Sequence, residues 1–327
     1  MRSFHIGKRG PNYDKYGMLF VAPFFIVFLI FQLYPIVYSV AISFTDFSGM
    51  MMPSEMSGVG FEHYAYLLSN PRFLHSIVNT FIVWTINFVP QIVAAFAFAA
   101  LFTSINLKMR GAGVFKILYY LPNIVTAASV AVLFKNLFLY PDGILDKMFK
   151  AIGLVKDPSF NIFRSAWGCR LLVSFIQFWR YFGYTILTLA AAMLGINPAF
   201  YEAATIDGAS KGKMFFSITL PLMKPIVLYT LITSLVGGLQ IFEIPYLLCN
   251  GGPQMPGGGW ATETTAVYIY QMAFGAGYTS DYALASAASV YLFLIVLVLS
   301  FITFRFFGAQ AFGIERKEKT RGRRKEK

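Results

Sequence analysis

The sequence predicts an all-α membrane protein with six transmembrane helices, and three observations carry that reading. Of its 327 residues 57% are hydrophobic and 18% aromatic, while only 13% are charged; soluble domains carry roughly 25% charged residues. The apolar residues fall in long blocks rather than at amphipathic helical spacing. Each block is long enough to cross about 30 Å of hydrocarbon at about 1.5 Å per residue.

The first span, 17–44, runs GMLFVAPFFIVFLIFQLYPIVYSVAISF without a charge. It is too long for a signal-peptide core and lacks a small-residue cleavage site, so it reads as a true span. The second covers 78–102, the third 117–139 and the fourth 171–194 (LLVSFIQFWRYFGYTILTLAAAML). The fifth covers 226–249, with SLVGGLQIFEIPYLL inside it, and the sixth 284–308. This divides the chain into an N-terminal segment (1–16), a membrane domain (17–308) and a basic tail (309–327). No internal repeat and no separate soluble domain stands out.

Orientation follows from the basic residues. With the N-terminus inside, the inside segments hold 19 Lys and Arg, nine of them from Arg305 onward, and the outside segments hold seven. Arg180 lies within span four. This bias predicts both termini in the cytoplasm, and it accounts for the net charge of +12 without nucleic acid as a partner. The outside loops are then 45–77, 140–170 and 250–283. In the last, the glycines and prolines of NGGPQMPGGGW (250–260) exclude regular structure. Cys169 and Cys249 fall near the outer ends of spans four and five without metal-ligand spacing; a disulfide and two separate thiols are both open, with two thiols favoured.

The inside loop at 195–225 contains YEAATIDGASKGKMFFSITLPLMKP, far more than a turn between spans needs. Asn197 and Pro198 form a helix start, and residues 199–207 continue as a short helix with Glu202 near the positive end of its dipole. Gly208 is placed to end it in a left-handed conformation, and a second short helix, about 210–217, leads to Leu220-Pro221. GASKGKM has a passing likeness to a phosphate loop, but its spacing is one residue short and Met214 stands where Ser or Thr is needed. An interfacial amphipathic connector is the plainer physical alternative.

That loop resembles the EAA coupling loop of ABC importer permeases, through Glu202, Ala203, Ala204, Gly208, Ile218, Leu220 and Pro221. NGGP at 250–253, YIYQMAF at 268–274 and YALASAASV at 282–290 resemble the sugar-importing permeases of the maltose-transporter type, in a six-span form. The resemblance covers nearly the whole chain and implies a type I ABC importer permease fold in a bacterial inner membrane. It implies that 197–222 docks on a cytoplasmic ATPase dimer, with Glu202, Ala203, Ala204, Asp207 and Gly208 at the contact. ATP and Mg would be held by that ATPase, and no cofactor, metal or catalytic residue by this chain. The other implied partners are a second homologous permease subunit, an extracytoplasmic solute-binding protein, and a sugar, with membrane lipid around the spans.

Charges within a span are costly unless they face a cavity or a partner, which singles out Arg180 and Glu243. They read either as an ion pair locking spans four and five or as a polar lining. Gln177, Arg180, Tyr181 and Tyr184 share one helix face by i, i+3, i+4, i+7 spacing, and aromatic faces with amide and charged groups suit a hydroxyl-rich solute. The resemblance places these four, with Ser234 and Gly238 of span five, at substrate-contacting positions of the maltose permease; Arg180, Tyr181 and Gly238 depart from its residue types. Asn123 and Thr126, after Pro122, are weaker candidates. Gly237-Gly238 is a candidate kink or close-packing site. A stand-alone secondary transporter or channel, and an intramembrane enzyme, are the competing classes. The first tends to show repeats, and the second needs a clustered catalytic set, whereas His5, His63 and His75 all lie outside the spans.

Overall fold

The computed structural model describes residues 14–49, 51–103, 112–154, 157, 159–256, 258–275 and 280–311. The predicted N-terminal segment and basic tail lie almost wholly outside them. Among the described residues there is no sheet, only isolated bridges pairing Thr45 with Gly58 and Gln254 with Trp260.

Helix α1 (14–42) is the first span. It loosens to a π-turn at Leu29–Leu33, just before Pro35, which has no N–H to place in the helical ladder. Its side chains are almost all exposed, Phe20 at 89% and Phe31 at 71%, which a bilayer accepts and water does not. After a short helix α2 (Glu62–Ser69) comes α3 (Pro71–Thr103). Proline opens α3, where a missing N–H costs nothing, and the Asn70 carboxamide accepts from the Arg72 and Phe73 amides at 2.9 and 3.3 Å. The helix thus begins seven residues before the predicted span, because this capped entry lies outside the apolar block.

The third predicted span is two helices. α4 (Ala112–Ile124) and α5 (Ala127–Leu137) meet at 93°. Thr126 is extended there, and its hydroxyl caps α5 by accepting from the Ser129 amide. Pro122 and the capping Thr126 are local marks of a helix end, but hydropathy alone reads the run as one straight span. Helix α6 (Ile144–Ala151) follows, then α7 (Ala166–Leu194), capped by the Ser165 hydroxyl. α3 and α7 form the centre of the bundle. Ala95 and Ala99 pack against Ile186, Leu189 and Ala190, small residues letting the axes approach. Gln91 donates to the Thr185 hydroxyl at 2.7 Å between them. On the other side of α7, a Cβ on Gly183 would overlap the Tyr119 carbonyl of α4, so only glycine fits that crossing.

A surface pair follows: α8 (Ala199–Ile206) and α9 (Lys211–Leu222, with a π-turn at Phe215–Thr219). α9 runs five residues past the expected end, and the chain bends by 64° into α10 (Lys224–Leu239). The fifth span then breaks at Gln240–Phe242 and resumes as α11 (Glu243–Cys249). Of the two readings of Gly237-Gly238 the structure favours close packing: both lie within α10, Gly238 sits against Trp84 of α3, and the break comes only after Leu239. Beyond α11, Asn250, Gly251 and Gly252 all take positive φ (49°, 92°, 85°), a left-handed run that explains the two glycines. The predicted loop 250–283 is irregular only at first. It contains helix α12 (Thr265–Phe274), whose Val267, Tyr268, Gln271 and Met272 are buried against α3 and α13 (Tyr282–Ala311). Among the described residues, three helices are long and apolar enough to cross a membrane, or up to six if each bent pair is one span.

Candidate functional site

A cavity of about 450 Å³ opens midway along α7, between α3, α7, α10 and the break in span five. It brings together seven of the nine residues assigned to a substrate path: Gln177, Arg180, Tyr181, Tyr184, Ser234, Gly238 and Glu243. Asn123 and Thr126 are not among its lining. Asn123 sits at the end of α4, and Thr126 has its hydroxyl engaged with Ser129 at the α4–α5 corner.

Arg180 and Glu243 form no ion pair, although both line the cavity. The Arg180 guanidinium lies over the Tyr181 ring, 5.4 Å from its centroid. Its Nε is buried without a partner, and so is Oε1 of Gln177, one helical turn away. Buried polar atoms normally find partners. Here an unfilled donor and an unfilled acceptor belong to two residues that line one cavity.

The second wall was legible but missed. Trp84, Asn87 and Gln91 of α3 line the cavity, and their i, i+3, i+7 spacing is the pattern that marks the α7 stripe. Trp84 donates from Nε1 to the Ser234 hydroxyl and carbonyl at 3.1 and 3.0 Å and stacks on Phe88. Gly238 makes room for that indole, since a Cβ there would overlap it. Thr185, Thr230, Thr233 and Gln240 complete the polar lining.

The break in span five is held by a buried polar segment, Thr262–Thr265, each residue at most 1% exposed. Thr264 donates to the Ile241 carbonyl at 2.5 Å, satisfying a group the broken helix leaves free. The Thr265 amide donates to the Thr80 hydroxyl at 2.9 Å. Arg170, predicted as a loop cation, is instead buried, donating to the Ala261 carbonyl at 2.9 Å and to Asn79 Oδ1 at 2.6 Å. Glu263 is bound by Arg72, whose Nη2 lies 2.6 Å from Oε1 and which also donates to Gln271. Burial lifts the Glu263 carboxyl above its ordinary range, and the Arg72 guanidinium offsets only part of that rise.

At the end of the bundle opposite residues 250–264, α8 and α9 meet at Gly208, whose φ of +70° is left-handed as expected. Asn197 Oδ1 accepts from the Ala199 amide at 3.0 Å, and Ser210 caps α9. Glu202, Ala203, Asp207 and Gly208 are exposed and Ala204 half-buried. Ile206 beside them is 87% exposed, an apolar side chain that the sequence reading did not single out. The Tyr201 hydroxyl bonds that of Thr219 at 2.8 Å, tying the two helices together.

Residues 65–316 match the family described as binding-protein-dependent transport system inner membrane component. The lactose transport system permease protein LacF of Rhizobium radiobacter is 33% identical over 294 residues, covering 89% of this chain and 94% of that protein. The arabinooligosaccharides transport system permease protein AraP of Bacillus subtilis (strain 168) is 31% identical, covering 89% and 88%. In fold, a chain of a bacterial alginate ABC transporter, crystallised in complex with an alginate pentasaccharide-bound periplasmic protein, superposes with a TM-score of 0.71 at 24% identity, covering 90% of this chain and 93% of that one. The bent-span bundle is therefore the type I ABC importer permease architecture, and the readings as an intramembrane enzyme or a stand-alone transporter fall away. The chain belongs to the family of binding-protein-dependent transport system inner membrane components.

Proposed function

We propose that this chain is one permease subunit of an ATP-driven importer of carbohydrate, and that the α3–α7–α10 cavity is its half of the sugar path. The observation that carries this is the lining: Trp84, Tyr181 and Tyr184 supply aromatic faces, while Gln177, Gln91, Asn87 and Arg180 supply hydrogen-bonding groups. Sugar rings stack on aromatic rings through their C–H faces and exchange hydroxyl hydrogen bonds with amides and guanidinium. Relatives named for lactose and arabinooligosaccharide transport support the same class.

In this reading both termini are cytoplasmic and 250–264 faces outward. A solute-binding protein delivers sugar to that outer face, and a second homologous permease subunit closes the other half of the path. A cytoplasmic ATPase dimer, holding ATP and Mg, receives α8 and α9, with Glu202 paired to one of its basic residues. Exposed Ile206 supplies apolar contact at that joint. A tag at residue 320 should then be reached only from the cytoplasm, and one within 255–258 only from outside. An external C-terminal tag would reverse the assignment of both faces.

Tyr184→Ala tests the cavity with no orphaned charge. Uptake of radiolabelled sugar by the assembled transporter should fall about tenfold, on the order of 1.4 kcal/mol of lost contact, and relative preference among sugars should shift. The ATPase should still co-purify. Normal uptake of every sugar would mean that the stripe serves packing alone.

A further inference from the structure

The mechanism above leaves the chain's two cysteines unused. Cys169 lies in the first turn of α7 and is fully buried; Cys249 is the last residue of α11 and partly exposed. Although 80 residues apart in sequence, both are free thiols, and they lie at one end of the core where α7 and α11 pack together. Neighbouring packing holds them there. Leu248 and Ile244 of α11 sit in one core with Leu172, Val173 and Ile176 of α7, and Cys249 packs against the same core. The Cys169 thiol also reaches the Ile162 carbonyl at 3.4 Å, which fixes its side chain from the other side. Separate helices thus carry the chain's two cysteines to the same end of one core.

We infer that Cys169 and Cys249 are a disulfide-forming pair that ties α11, and the left-handed turn behind it, to the start of α7. This rests on the proposed orientation, in which the pair opens on the outer, oxidising face. The step is thiol–disulfide exchange. Partly exposed Cys249, once it loses its proton to solvent, attacks the disulfide of a thiol oxidoreductase, breaking that S–S bond and releasing one of its sulfurs. Cys169, deprotonated to solvent, then attacks the Cys249 sulfur, forming the Sγ–Sγ bond and expelling the second. Two cysteine thiols are oxidised to one disulfide, the carrier's disulfide is reduced to a dithiol, and the two protons pass through solvent to the carrier.

The test uses the full chain purified in detergent without reductant, then unfolded in sodium dodecyl sulfate with a polyethylene-glycol maleimide. No label is expected before reduction and two afterwards, while Cys169→Ser and Cys249→Ser should each take one label without reductant. Should either variant fail to insert, peptide mass analysis of the unreduced native chain should find the two cysteine peptides joined. Two labels on the native chain both as purified and after equilibration with glutathione disulfide would overturn the proposal, as would a glutathione adduct on Cys249 in place of the joined pair. Labelling as purified that disappears after glutathione disulfide would support the pair and count against the proposed orientation, which the tags report separately.

Discussion

Arg72→Ala should cost the folded chain on the order of 3–5 kcal/mol, the range for stranding one member of a buried ion pair. Glu263 is 1% exposed and Arg72 15%, so truncation leaves a carboxylate where water does not reach. It also removes the donor to Gln271 and the cation lying 5.4 Å from the Tyr268 ring. The measurement is the unfolding midpoint in detergent. Replacing both partners by apolar residues of similar size (Arg72→Met with Glu263→Leu) should recover most of the loss, since a well-packed apolar pair can equal a buried ionic one. Equal loss in the single and double variants would show that the ion pair is not the source.

Glu263 gives the same cluster a pH signature. Its carboxyl is raised in the folded state, so the native chain holds that proton more tightly than the unfolded one. Its contribution is therefore full below the ordinary glutamate value of about 4.3 and is lost as pH rises through the raised value. Glu263→Gln should flatten the dependence of the unfolding midpoint across that acid window.

Gly208→Pro and Glu202→Lys should each reduce sugar uptake by at least about 100-fold, on the order of 3 kcal/mol of lost coupling. The chain should still insert. Proline locks φ near −65°, whereas Gly208 sits at +70° with open space where a Cβ would lie. The substitution thus fails for backbone reasons and not for crowding. Gly208→Ala separates the two: it meets no clash and costs about 1–2 kcal/mol for the left-handed conformation alone, so it should be milder. Glu202→Lys keeps the helix and reverses an exposed charge. ATPase activity of the assembled complex that no longer responds to the solute-binding protein is the accompanying readout. Wild-type uptake in both severe variants would remove α8–α9 as the docking element.

The surface helices and the α7 stripe were legible because both rest on local rules: a cap at Asn197, a glycine at 208, and i, i+3, i+4, i+7 spacing. The α3 wall obeys the same spacing and was readable at Trp84, Asn87 and Gln91. What escaped was non-local. The right angle at Thr126 is set where α5 packs on α7 and α11; Pro122 and Thr126 mark a helix end locally, but not the direction in which the next helix leaves. The Gln240–Phe242 break likewise depends on a threonine 23 residues further on. Arg170 read as one more outer cation because sequence cannot show that Asn79 and the Ala261 carbonyl lie waiting for it.

That threonine bond ties two parts of the molecule that face different tasks. The wall of the cavity at Gln240–Phe242 belongs to a helix with no ladder of its own there, and the Thr264 hydroxyl supplies the missing support from the segment following the glycine turn. The segment is stiffly mounted on α3 and α7 through Arg72, Asn79, Thr80 and Arg170. A tug on the glycine turn therefore meets resistance from the bundle on one side and is delivered to Ile241 on the other. The glycine turn, the Thr262–Thr265 segment and the unwound stretch of span five thus form one connected path, braced on α3 and α7 along its length.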